Sequence, residues 1–551
     1  MTEWWRDAVV YQVYPRSFAD SDGDGIGDLP GITSRLPKLA ELGVDAVWLS
    51  PFYPSPQNDA GYDVADYRDV EPIFGTLDDA DALVGRAHEL GLRVVVDIVP
   101  NHTSSEHRWF QAALAAAPGS PERARYHFRD GGGPDGGVAP NDWRSVFGGP
   151  AWTRVTEADG TPGQWYLHLF DSTQPDLDWD SPDVHEEFAS TLRFWLDRGV
   201  DGFRIDVAHA MVKEPGLPDW ADDGPMGGTA EITDSNRPPM WDQEGVHDIY
   251  RGWRKIVDSY DGDRMLVAEA WVTPYSRLAR YTRPDELHQA FNFDHCVAAW
   301  RADAQRHVIT TSVEGSSAVG APATWVLSNH DIVRHASRFG FPPAPRGLGG
   351  IGPDDPQPDP VLGLRRARAA TALMLALPGS AYLYQGEELG LPEHTTLPGG
   401  ARQDPTWFRT NEAEVGRDGC RVPVPWEGGA PSYGFGPGAA SWLPQPPSYG
   451  ELARDRQEGV EGSTLEMYRT ALRLRRELGL GLGDLVWAET LSPAQTPEQS
   501  LGLLRGTVRV LVNFDGPDLP LPEDAEVLLA SGPLGEGGVV PSDTTVWFRQ
   551  P

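Results

Sequence analysis

Arg93-Val-Val-Val-Asp-Ile-Val-Pro-Asn-His102 holds the reading that decides the fold. Three β-branched residues in a row predict a buried strand, and the polar Pro-Asn-His that follows ends it. The strand therefore delivers Asp97, Asn101 and His102 at its C-terminal end. Working outward, similar short runs of β-branched or aromatic residues recur at 8–14, 44–49, 93–98, 201–206, 265–269, 289–293, 324–328 and 381–385, with amphipathic helical stretches between them. Strands alternating with helices build a parallel sheet with helical crossovers, and eight of them predict a closed (β/α)8 barrel.

The remaining sequence divides around that barrel. A 551-residue chain is too long for one compact core. The third and fourth strands lie about twice as far apart as one βα unit requires, and the interval is rich in Gly, Pro, Asp and Trp, which predicts an inserted domain over 103–178. The catalytic barrel is accordingly assigned to 1–102 and 179–480. It includes an irregular stretch, 392–458, expected to form a lid beside the mouth. A capped helix over 463–478, with Leu465, Tyr468, Leu472 and Leu474 on its apolar side, closes the barrel. Beyond it, strands at 501–505, 508–514, 525–530 and 544–549 predict a C-terminal antiparallel β-sandwich over 481–551. The Pro/Gly/Asp segment 341–360 is the one low-complexity run.

Composition narrows the function. With 46 basic and 81 acidic residues the formal charge is −35, which repels phosphate backbones and anionic membranes. Neither nucleic acid nor a membrane is expected as partner, and the oligomeric state stays open. Twenty Trp, 16 Tyr and 18 Phe suit core packing and also sugar stacking. Cys296 and Cys420 have no metal-ligand pattern around them and are expected as free thiols. The N-terminus lacks a basic stretch followed by an apolar one, and no run of 18 apolar residues occurs, so a cytoplasmic enzyme is expected.

Carboxylates stand where the strands end: Asp97 after the third, Asp206 at the fourth, Glu269 at the fifth and Asp331 after the seventh. Strand C-termini form the active face of such a barrel. A single Asp there is an ordinary helix cap. Four at one mouth, with Arg204, His102 and His330 beside them, point to chemistry.

These stretches resemble glycoside hydrolase family 13, the α-amylase family, in its exo-acting α-glucosidase and oligo-1,6-glucosidase branch. The matching segments are Asp97-Ile-Val-Pro-Asn-His102, Gly202-Phe-Arg-Ile-Asp206, Val267-Ala-Glu269 and Ser328-Asn-His-Asp331, in the family's order. Val10-Tyr-Gln-Val-Tyr-Pro-Arg-Ser-Phe18 and Gly61-Tyr-Asp-Val-Ala-Asp-Tyr67 fit the same branch. The resemblance implies a retaining α-glucoside hydrolase acting on short maltose-type and isomaltose-type oligosaccharides. Asp206 would be nucleophile, Glu269 acid/base and Asp331 the third carboxylate that grips sugar hydroxyls. The chemistry agrees. Cleaving an acetal through an oxocarbenium-like state needs one carboxylate to trap the cation and one acid to protonate the leaving oxygen, about 5–5.5 Å apart for retention. Arg204, two residues before Asp206 on one strand, faces the same side and can keep it ionised.

The resemblance also implies a substrate pocket. His102 and His330 would hydrogen-bond the sugar, Tyr62 would stack on it, and His209 would contact it from the segment after the nucleophile. Asp63 would pair with Arg421, in Gly419-Cys-Arg-Val-Pro-Val-Pro-Trp426, to close the pocket around a non-reducing glucose; a surface ion pair is the plainer alternative. Phe147, Phe170 and Gln174 would either wall the site or pack within the insert. Val207 resembles the α-1,6-acting members, whereas Val207-Ala208-His209 and its Pro-rich flanks also resemble enzymes that accept maltose. Linkage preference stays open. The same scaffold serves α-glucosyltransferases and sucrose or trehalose isomerases; a binding protein without catalysis would not retain Asp206, Glu269 and Asp331.

One further cluster is Asp20-Ser-Asp22-Gly-Asp24-Gly-Ile26-Gly-Asp28. Alternating acids and glycines can turn several oxygens onto one hard cation, but Gly31 stands where a helix–loop–helix calcium site needs a bidentate Glu. In the resembling branch a similar loop binds structural Ca2+ through acidic side chains and the carbonyl at the Ile position. Asp20, Asp22, Asp24, Ile26 and Asp28 are the candidate ligands, with an acidic Gly-rich turn as the alternative.

Overall fold

The computed structural model describes residues 3–157, 159–220, 237–341 and 349–550. The eight expected strands are present: β1 (Val9–Val13), β2 (Ala46–Leu49), β3 (Arg93–Ile98), then, after the insert's strands β4 to β6, β7 (Gly202–Ile205), β8 (Met265–Ala268), β9 (Gln289–Ala290), β10 (Thr324–Val326) and β11 (Ser380–Tyr384). They form one parallel sheet in the order β10-β11-β1-β2-β3-β7-β8-β9. Between β9 and β10, Asn292 N–H donates to the Thr324 carbonyl at 3.2 Å, which brings the two edges together. Val94, Val95 and Val96 are buried, as a strand covered on both sides requires. Gly202 opens β7 because β8 runs so close that a Cβ there would lie 2.5 Å from the Met265 carbonyl oxygen.

Helices between the strands begin and end on capping residues. Leu29–Leu42 is capped by Asp28, whose side chain accepts Gly31 N–H, and it ends at Gly43 in the left-handed region with φ 99°. The helix expected over 463–478 runs Thr464–Glu477, with Ser463 accepting from Glu466 N–H. Among the described residues no helix is long and apolar enough to cross a membrane.

Among the described residues three further sheets accompany the barrel. Within 103–178, β4 (Phe128–Arg129), β5 (Trp152–Thr156) and β6 (Pro162–Leu167) make an antiparallel sheet in the order β4-β6-β5. Trp143, Phe147, Trp152, Leu167 and Phe170 share a core with Val207 and Ala210 of the loop after β7, so the insert is anchored beside Asp206. At the C-terminus, β12 (Val486–Trp487), β13 (Ser500–Arg505), β14 (Val508–Asn513), β16 (Glu526–Ala530) and β18 (Thr544–Arg549) form a five-stranded antiparallel sheet; β15 (Leu519–Pro520) and β17 (Val539–Val540) form a two-stranded one. The sandwich is lopsided. Leu511, Val546 and Phe548 pack with Leu519 and Val540 of the small ladder. On the opposite face, Trp547 Nε1 and Thr545 Oγ1 donate to carbonyls of the barrel helix Pro360–Ala376. Residues 342–348 of the low-complexity segment lie outside the described residues.

Candidate active site

The strand ends deliver the four carboxylates to one place, and Arg204 on β7 connects three of them. Its Nη1 lies 2.9 and 3.1 Å from the two Asp97 oxygens and 2.6 Å from Asp206 Oδ1, while Nη2 lies 3.4 Å from Glu269 Oε2. The guanidinium is fully buried and sits over the rings of Trp48 and Tyr62, at 5.0 and 5.7 Å. Trp48 Nε1 and Tyr62 Oη also donate to Asp97 Oδ2. Glu269 accepts Val207 N–H at 2.7 Å on one oxygen and Trp271 Nε1–H at 3.1 Å on the other.

Burial dominates the electrostatics. It pushes Asp206 well above the ordinary carboxylate range against the pull of Arg204, with Glu269, Asp97 and Asp331 adding to the rise. Burial raises Glu269 as well, again against Arg204 and with Asp331 adding to it. Asp97 is pushed up to about 6 by the same burial, opposed by Arg204. Asp331 goes the other way: burial raises it, but the N–H of His330 beside it and the guanidiniums of Arg417, Arg421 and Arg204 outweigh that and hold it well below the carboxylate range.

The histidines are neutral in this setting. His330 Nδ1 receives the Gln12 amide at 2.8 Å, and its Nε2 faces Asp331 Oδ2 at 3.2 Å. Burial holds His330 well below its ordinary value and His102 down at about 4. His102 Nε2 lies 3.1 Å from the Tyr62 carbonyl and 3.2 Å from Gln174 Nε2. Tyr62 lies parallel to His330, centroids 5.0 Å apart, so part of the stacking surface expected of it is already covered. Phe170 packs on His102 at 5.1 Å, and Phe147 on Phe170 at 5.7 Å. The insert residues thus meet the barrel mouth. His209 stacks on Trp241 at 5.1 Å, and its buried Nδ1 has no hydrogen-bond partner among the described residues.

The structure corrects one expected pair. Asp63 does not hold Arg421: its carboxylate accepts Ser55 Oγ–H at 2.8 Å and the amides of Asn58 and Asp59, so it is used up in shaping its own loop. Arg421 instead donates to Asp331 Oδ1 at 3.0 Å and to the His330 carbonyl at 2.8 Å. The bridge across the mouth is made four residues earlier on both sides. Arg417 donates to Asp59 at 2.8 Å, to Asp331 at 2.8 Å and to Asp404 at 2.6 Å, with its guanidinium 4.9 Å from the Phe147 ring centroid. Asp59 also accepts from Gln174 at 3.1 Å. The four-residue spacing Arg417-Asp-Gly-Cys-Arg421 was the available signal for Arg417.

In the acidic loop, Asp20, Asp22 and Asp28 bring oxygens within 4.8 Å of one another; Asp24 is not in that group. Asp24 Oδ1 accepts Ile26 N–H instead. Asp20 accepts the amides of Asp22, Gly23 and Gly25, and Asp28 those of Ser21 and Gly31. Three clustered carboxylates are hard oxygen donors of the kind calcium takes.

Paired carboxylates gathered around an arginine at the strand C-termini of a (β/α)8 barrel are the arrangement that glycoside hydrolysis uses. More narrowly, residues 12–480 match the α-amylase catalytic domain, and the chain belongs to the α-amylase family. It is 38% identical over 502 residues to a probable alpha-glucosidase of Rhizobium meliloti, covering 89% of this chain and 85% of that one. It is 35% identical to an oligo-1,6-glucosidase of Parageobacillus thermoglucosidasius, covering 86% and 84% of the two chains. The alpha-glucosyl transfer enzyme XgtA superposes with a TM-score of 0.83 at 34% identity, covering 100% of both chains.

Proposed function

We propose that the protein is a retaining, exo-acting α-glucosidase that removes terminal glucose from short α-linked oligosaccharides. The unequal reach of Arg204 carries the assignment of roles: 2.6 Å to Asp206 against 3.4 Å to Glu269. Burial raises both carboxylates, and the charge of Glu269 adds to the rise at Asp206, so the two titrate as a pair. Against that rise, the guanidinium at 2.6 Å favours the negative charge on Asp206 more than on Glu269 at 3.4 Å, so the proton is assigned to Glu269 in the reactive form. Asp206 then attacks the anomeric carbon while Glu269 protonates the departing oxygen, and water, deprotonated by Glu269, releases glucose in the second step. Asp331, charged and held by two arginines, is placed to grip sugar hydroxyls with His330. Two inversions return the starting configuration, so the first product is α-glucose. Proton NMR before mutarotation checks this; an initial β-anomer would overturn the mechanism.

Water is the acceptor in this reading, whereas a sugar hydroxyl in its place gives glucosyl transfer. The likeness to XgtA supports that second outcome. Product analysis at high maltose separates them: trisaccharide formation outpacing free glucose would mark a transferase.

The acidic loop supports a structural role for calcium, held by Asp20, Asp22 and Asp28. It follows β1 and contains none of the proposed reacting groups, so bound calcium would stabilise the fold by mass action. Chelation is expected to lower the melting temperature more than the initial rate. An unchanged melting curve after verified metal removal would leave the loop as a turn closed by its own hydrogen bonds.

A further inference from the structure

Glu269 is gripped from both sides. The Val207 amide donates to one oxygen and the Trp271 indole to the other. Val207 has φ 42°, a left-handed conformation that a β-branched residue adopts only under constraint. The next amide, Ala208, donates to the Glu269 carbonyl at 2.8 Å, so the turn after Asp206 is tied to the end of β8. Trp271 is equally fixed. Its indole lies parallel to Phe293, with centroids 3.9 Å apart and planes 5° from coplanar, and Phe293 in turn is buried against the edge of Phe291.

We propose that Trp271 is a positioning residue for the acid/base: Phe293 fixes the indole, and the indole N–H holds one Glu269 oxygen while the Val207 amide holds the other. The proposal rests on the reading of Glu269 as acid/base. Charged groups facing Glu269 are Arg204, Asp206 and Asp331, and none of them fixes the oxygen that Trp271 contacts. An N–H donor favours the carboxylate over the acid, so Trp271 offsets part of the rise that burial imposes. Glu269 can then both surrender a proton to the leaving oxygen and take one back from water.

Trp271→Phe keeps a ring on Phe293 and deletes the donor. The charged form of Glu269 loses a partner, its pKa rises, and the protonated form persists to higher pH. The alkaline limb of kcat/KM on maltose is therefore expected to move up by about one pH unit. The loss of rate should be smaller on 4-nitrophenyl α-glucoside, whose leaving group needs little protonation. Phe293→Leu keeps the donor but frees the indole, and a smaller shift in the same direction is expected. An unmoved alkaline limb in both variants overturns the proposal. Glu269→Gln, measured alongside, separates the two failures: near wild-type turnover on maltose would sink the acid/base reading itself, whereas an inactive Glu269→Gln with an unmoved limb in the other variants sinks only the role of Trp271.

Discussion

Asp206→Ala is expected to lower kcat on maltose on the order of 10⁴-fold or more while leaving the barrel folded. The loss follows from the covalent step: without the carboxylate there is no glucosyl-enzyme, and water must attack a barely activated acetal. The fold should survive because the truncation removes little buried volume and Arg204 keeps Asp97 and Glu269 as partners. Glu269→Gln should be comparably damaging on maltose and milder on 4-nitrophenyl α-glucoside, because a good leaving group departs without a proton. Purified Asp206→Ala with near wild-type turnover and an unchanged melting curve would refute the nucleophile assignment.

Much of this site was legible because barrel strands announce themselves. Arg93–Ile98 reads as a buried strand from its valines alone, and the carboxylates at strand ends follow once eight such runs are counted. The period of two then places Arg204 and Asp206 on one side. What the sequence could not convey was which of two nearby acids a loop consumes. Asp63 sits in the more conspicuous Gly-Tyr-Asp segment, yet its carboxylate accepts from Ser55, Asn58 and Asp59 of its own turn, and this frees Asp59 to face Arg417. Trp271 follows Glu269 by two residues, but its significance depends on Phe293, which β9 brings up from a different strand. The C-terminal strands were equally readable. Their packing was not, because one face of the five-stranded sheet is covered by Pro360–Ala376, a barrel helix from far upstream.

The corrected bridge moves the test of pocket depth from Arg421 to Arg417. Arg417 joins Asp59 from the segment after β2, Asp331 from the loop after β10, and Asp404 from the segment after β11. Such a bridge would close the mouth on one side, and a closed side admits a chain end but not the middle of a polymer. Rates should be highest on di- and trisaccharides, and maltotriose should first release glucose and maltose. Soluble starch should be a poor substrate. In Arg417→Ala, Asp59 and Asp404 remain buried without their guanidinium partner, whereas Asp331 keeps Arg421. Truncating one member of such a buried charge pair costs about 2–5 kcal/mol. A disaccharide has all its binding energy at this subsite and the next, so kcat/KM on maltose is expected to fall on the order of 10²-fold or more. The effect on longer oligosaccharides should be smaller, since part of their binding lies elsewhere. Asp59→Asn keeps the side chain's size and one acceptor oxygen while removing the charge, and should reproduce the bias toward longer substrates with less loss of stability. If soluble starch is instead cut internally by the wild-type enzyme, with viscosity collapsing before much reducing sugar appears, Arg417 is not a barrier and the site is an open cleft.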